Sequence, residues 1–261
     1  MSKNSAISGE IKDFLDQKVE KYNHTSFIEN DPISIPHRYH TKEDIEISSF
    51  LTATISWGKR TTILKNASKM MQLMGESPYD FVMTFDAKRN KNYFDGFVHR
   101  TFNAEDLVFF VKSLNHIYTN LGGMEKVFEE GCTSYTVLEA ISNFKEVFFS
   151  IDHPERTKKH VGDPRKGSVA KRLNMMLRWL CRKDDIGVDF GLWKDISPSI
   201  LSCPLDVHSG NIARKLGLIT RKNNDLKALF ELDANLRKMD PSDPAKYDFA
   251  LFGVGESGEL S

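Results

Sequence analysis

Cysteine is scarce in this sequence: 3 in 261 residues, at Cys132, Cys181 and Cys203, with no C-x-x-C pair. An odd, scattered set excludes a disulfide framework and zinc-type spacing, and it suits a reducing compartment. Long apolar runs are missing too. No stretch reaches the roughly 18 consecutive apolar residues that a membrane span needs, and the opening MSKNSAISGEIKDFLDQ has no apolar core of the signal-peptide kind. Nor does either sign of charge dominate, since Lys plus Arg and Asp plus Glu both total 36. A basic coat over the whole molecule is thereby excluded, and any nucleic-acid affinity must come from a local patch. Alternating β-branched runs, internal repeats and low-complexity stretches are absent. These absences predict a cytoplasmic protein with no membrane partner, no cofactor and no bound metal.

What is present is helical periodicity. Ser8 to Tyr22 sets Ile11, Phe14, Leu15 and Val19 on one face. NDPISIPHRY (30–39), with two prolines and no period, reads as an ordered connector. Asp44 opens the apolar helix DIEISSFLTATISWG, ended by Gly58, and Lys59 to Met74 forms another, closed by Gly75 and Pro78. Further helices fit 104–120, 124–130, 134–149, 208–216 and 223–238, and the tail YDFALFGVG is helical up to Gly253. The helix 168–182, SVAKRLNMMLRWLCR, puts Val169, Leu173, Met176, Leu177 and Leu180 on one stripe, with Arg172, Asn174 and Arg178 outside it. The sum is roughly ten helices and no sheet.

Charge is uneven locally. Arg156 to Lys183 holds ten Lys or Arg against a single acid, Asp163, and Arg214, Lys215, Arg221 and Lys222 add a second basic run. Phosphate contact is one use for such clusters, because each neutralised phosphate releases counterions. A solvated face is the other.

GSVAKRLNMML and PLDVHSGNIARKLGL resemble two elements of the helix-hairpin-helix DNA glycosylase superfamily, which includes endonuclease III and the archaeal GO-type 8-oxoguanine DNA glycosylases. FLTATISWGKRTTILKNASKM is similar to that superfamily's early helix pair. Over nearly its whole length, through IPHRYHTKEDIEISSFLTATISWG, KRLNMMLRW and KYDFALFG, the chain resembles an uncharacterised bacterial family related to these enzymes. The resemblance implies an all-α, two-lobed helix-hairpin-helix DNA glycosylase-like fold, with Lys171 and Asp206 facing the interlobe cleft as the catalytic pair. It further implies a six-helix lobe with the hairpin over 42–183, and a second helical lobe from 1–41 and 184–261. Against the superfamily pattern, the hairpin VGDPRKGS lacks G-x-G, the 35-residue interval from Lys171 to Asp206 is long, and Val207 stands where threonine is common. No four-cysteine iron–sulfur loop follows.

The residues can be read physically as well. Ser168 is the expected N-cap, setting Lys171 near the third helical position. A cation there meets the positive end of the helix dipole, at a cost of about 0.3–1 kcal/mol. Arg165, Lys166 and Arg172 add like charge. Both effects favour the free amine, which can attack a sugar C1′ carbon. A surface lysine that pairs with phosphate or with an acid is the plainer reading. Asp206, before a helix, reads as an N-cap carboxylate. The resemblance adds stabilisation of an oxocarbenium-like sugar and help in deprotonating the nucleophile. His208 supports the site. Trp57 and Trp179 are either stacking platforms for an extruded base or core residues. Lys59 and Arg60, just past Gly58, are placed to reach an opened duplex. Lys166, in the hairpin, competes with Lys171 as nucleophile.

The expected function is excision of a damaged base from double-stranded DNA, an oxidised purine such as 8-oxoguanine, with abasic-site lyase activity, by a monomer. The alternatives are a catalytically inactive DNA-binding damage sensor and a helical partner-binding protein.

Overall fold

The computed structural model describes residues 9–90, 92–133 and 135–260. Ser8 and Ser134, expected to open helices, lie outside these. Helix dominates the described residues, so the class is all-α. The α-helices are α1 (Gly9–Tyr22), α2 (Lys42–Thr54), α3 (Arg60–Leu73), α4 (Pro78–Thr84), α5 (Ala104–Asn120), α6 (Met124–Glu130), α7 (Leu138–Phe148), α8 (Lys171–Cys181), α9 (Val207–Lys215), α10 (Leu226–Met239) and α11 (Tyr247–Ser257). The connector over 30–39 is built of short 3₁₀ turns, Pro32–Ser34 and Pro36–Arg38, each opened by its proline.

Three sequence expectations need correction. Pro78 does not close a helix; it sits at the first position of α4, where a missing N–H costs nothing. A two-stranded antiparallel ribbon exists, β1 (Val98–His99) with β2 (Phe102–Asn103), in the register Val98↔Asn103 and His99↔Phe102. It is too short to leave an alternating pattern. Finally, α11 runs past Gly253 to Ser257. Gly253 is there for contact and does not end the helix: a Cβ on it would lie 2.3 Å from the Tyr22 ring, so only glycine lets α1 lie this close.

The chain divides into two compact units. Unit 1 comprises Met1–Phe27, Ser134–Val137 and Pro164–Ser261; unit 2 comprises Ile28–Thr133 and Leu138–Asp163. The helix bearing Lys171 therefore groups with the C-terminal segment rather than with a 42–183 lobe, and residues 28–41 group with unit 2. Buried arginines explain the first shift. Arg178 pairs with Asp189 and Asp248, and Arg182 with Asp184, Asp189 and Asp243, tying α8 to the chain that follows it. Within unit 2 the core is aromatic: Phe50 packs on Phe110, Phe144 and Phe148, with ring centroids 5.2–5.5 Å apart.

Candidate active site

Lys171 is the first residue of α8, and the turn before it is unusual. Ala170 is the N-cap and adopts the left-handed conformation at φ 44°, ψ 39°. A left-handed residue cannot continue a right-handed helix, so α8 starts at Lys171 and not earlier. This corrects the expected cap: Ser168 Oγ accepts from the Ala170 N–H at 3.1 Å and closes a turn, leaving the helix N–H groups uncapped by it. Asn174 braces the same turn. Its Nδ2 donates to Val169 O at 2.9 Å and its N–H to Ala170 O at 3.0 Å.

Asp206 is the N-cap of α9, as its sequence position suggested. The Ser209 N–H donates to Asp206 Oδ1 at 3.0 Å, and the Asp206 N–H donates to Ser209 Oγ at 2.9 Å, a reciprocal capping box. Arg214 Nη2 donates to Asn224 Oδ1, and Asn224 Nδ2 donates to Asp206 O at 2.6 Å, which fixes the carboxylate's own peptide. The cap occupies Oδ1 and leaves Oδ2 facing α8. Asp206 Oδ2 lies 3.6 Å from Lys171 Nζ, with the two side chains 24% and 26% exposed. The amine also lies 3.5 Å from Met175 Sδ, one turn along α8. An ammonium, a carboxylate and a soft apolar wall thus meet where solvent still enters. The lysine thus stands at the first position of α8 with a carboxylate beside its amine.

The other candidates separate. Arg165 and Lys166 are exposed in the segment ahead of α8, and His208 is exposed on α9 with its ring 6.2 Å from Phe252. Arg172 is half-buried, and desolvation lowers its guanidinium to about 10. Trp179 is 0% exposed, so it is a core residue with no face free for a base. Trp57, Lys59 and Arg60 belong to unit 2, where Lys59 is exposed and the other two are half-buried. The Trp57 ring packs edge-on against His99 at 4.9 Å and near-parallel to His160 at 6.1 Å. Behind them Asp106 accepts from Thr157 Oγ1 at 2.6 Å and Arg156 Nη1 at 2.8 Å. Burial alone would raise that carboxyl, but hydrogen bonds from His160, Thr157 and the Asn103 backbone hold it down at about 2. An open depression of about 550 Å³ in unit 2, lined by Phe109, Lys112 and His153 among others, touches none of the candidate residues.

Sequence reasoning placed Asn174 and Arg178 outside the buried stripe of their helix, and the structure buries both. It passed over Asp248, which lies in KYDFALFG and is the acid that Arg178 meets. The available signal was the seven-residue spacing from Lys171 to Arg178, which returns to the same helix face. Several other basic residues already pair with acids of the same chain: Arg156 with the buried Asp106, and, at the surface, Lys158 with Glu155 and Arg221 with Asp225.

Among the described residues no helix is long and apolar enough to cross a membrane. No curated protein and no solved structure matches the chain. Residues 31–257 match the family described as "Protein of unknown function (DUF2400)", and the chain belongs to that family.

Proposed function

We propose that this protein is a DNA base-excision glycosylase with abasic-site lyase activity, a cytoplasmic monomer of the helix-hairpin-helix glycosylase-like fold that acts on oxidised purine in double-stranded DNA. The observation that carries this reading is the approach of Lys171 Nζ to Asp206 Oδ2 at 3.6 Å, in a partly open setting. The two residues come from segments 35 positions apart in sequence. An all-α chain of two compact units suits the same fold.

In this mechanism the deprotonated Lys171 amine attacks C1′ of the damaged nucleotide. The bond from C1′ to the base breaks with its electron pair going to the base, which takes a proton from water. Asp206 stabilises the positive charge that develops on the sugar and takes up the amine's proton. The C1′–O4′ bond then breaks, O4′ taking a proton to become a hydroxyl, which gives an imine between C1′ and Lys171; loss of a C2′ proton from that imine expels the 3′-phosphate and so cleaves the strand on the 3′ side. Exposed Lys159, Arg165 and Lys166 supply phosphate contacts.

Asp206→Asn separates the steps. The amide oxygen preserves the cap while the charge is lost, so excision of 8-oxoguanine should fall about 10²-fold or more, the scale of a lost electrostatic contribution. Cleavage of a ready-made abasic site should suffer less, since its glycosidic bond is already gone. Equal loss on both substrates would count against this division of roles. The pairing of several cations of the basic runs with acids of the same chain favours a second reading, a helical partner-binding protein. Failure to bind duplex at low salt would favour it further.

A further inference from the structure

The depression in unit 2 takes no part in the proposed reaction, and its walls are organised. It holds about 550 Å³, within the roughly 300–1,000 Å³ usual for small-molecule sites. One wall is a face of α5, where Glu105, Val108, Phe109 and Lys112 recur at three- and four-residue spacing. Asp152, His153 and Pro154 form a second wall, and Asp95 adds to the lining. The two walls are held together by rings. Phe109 packs near-parallel on Phe149 at 5.1 Å and against His153 at 5.7 Å. His153 is fixed in turn, because its Nδ1 donates to Ile151 O at 2.7 Å.

The charges on these walls are largely unpaired. Glu105 is engaged by Arg156, 3.6 Å away. Among the described residues, by contrast, the side chains of Asp95, Asp152 and half-buried Lys112 make no ion pair and no hydrogen bond. Lys112 and Asp152 thus line one cavity without meeting, and a group that bridges them must carry both signs. Two carboxylates and one ammonium are complemented by two positive groups and one negative group. Half-buried Val108 and Pro154 offer apolar surface for a stem that joins those groups.

We propose that this depression binds a free basic α-amino acid, arginine or lysine. The ligand's carboxylate meets Lys112, its two cationic groups meet Asp95 and Asp152, and its methylene stem lies along Val108 and Pro154. Solvent screens exposed ion pairs, so the affinity expected is modest, with Kd on the order of 0.1 mM. The proposal is independent of the glycosylase reading, whose residues Lys171 and Asp206 belong to unit 1.

The test is isothermal titration of the full chain with L-arginine and L-lysine, without DNA. Saturable one-to-one binding is expected. Arginine methyl ester and agmatine, which lack the free carboxylate, should bind about fivefold or more weaker than arginine. Lys112→Met should bring arginine down to the level of its ester and leave the ester unchanged. Asp95→Asn and Asp152→Asn should each weaken both by about threefold. Failure of both amino acids to saturate by about 10 mM overturns the proposal. Agmatine binding as tightly as arginine also overturns it, since any acidic surface would take a polycation. Arginine binding that survives all three substitutions would place the ligand elsewhere and overturn it too. The comparison of arginine with agmatine on the wild type decides alone if a variant does not fold.

Discussion

At the scale of single residues, Asp206 serves two neighbours with two oxygens: Oδ1 caps α9 and Oδ2 faces Lys171. Its position before a helix made the cap legible in the sequence. The approach to Lys171 was expected only by resemblance, because no local pattern brings together residues 35 apart. Ala170 was illegible for a different reason. The left-handed conformation normally announces itself through glycine, and here an alanine holds it at φ 44°. The string SVAK therefore read as a serine cap, whereas the helix starts two residues later than a cap at Ser168 would set it. A side chain in this conformation costs about 1–2 kcal/mol. Ala170→Gly is expected to raise stability by about 0.5–1 kcal/mol, part of the relief being offset by glycine's greater freedom when unfolded. A higher urea midpoint at unchanged slope would show it; a lower midpoint would mean the turn carries no strain.

At the scale of elements, periodicity made most helices legible, including α5 and α6 at their expected bounds. It misjudged the polar residues of α8, since an arginine on an amphipathic helix reads as exposed until its buried acids, distant in sequence, are known. Helix α10 does a related job for the irregular chain ahead of Asp206. Arg237 donates to the carbonyls of Ser199, Ile200 and Leu201, and Asp233 accepts from the Cys203 N–H at 3.0 Å. Buried irregular backbone needs such partners. Burial raises the Asp233 carboxyl to about 6, opposed by Ser202 and Arg237. A carboxyl raised on folding binds its proton more tightly in the native state, so its contribution to stability is fully present below about pH 4 and is lost as pH rises through 6. Wild type should therefore gain stability relative to Asp233→Asn as pH falls from 6.5 to 4, by on the order of 2–3 kcal/mol. Denaturant titrations at the two pH values would measure it, and a constant difference would contradict the buried, raised carboxyl.

At the scale of the whole molecule, a net charge of zero conceals how the cations are used. Arg178 and Arg182 bind buried aspartates and serve the fold. The runs that looked like one basic stretch are thus partly internal wiring, and Lys159, Arg165 and Lys166 remain at the surface. Replacing these three with neutral residues should flatten the dependence of duplex affinity on salt by about one phosphate contact per residue engaged. An unchanged slope would show that they never meet the backbone. Composition could give the excess of charge, but only the three-dimensional structure tells which charges stand at the surface.

The account stands most directly on the identity of the nucleophile. Wild-type protein would be mixed with borohydride and a duplex carrying an abasic site or 8-oxoguanine, and the trapped complex mapped by peptide mass spectrometry. The account predicts a covalent adduct on Lys171 that is lost in Lys171→Gln while duplex binding persists. An adduct on Lys166, or no adduct from folded wild-type protein on either substrate, would contradict it.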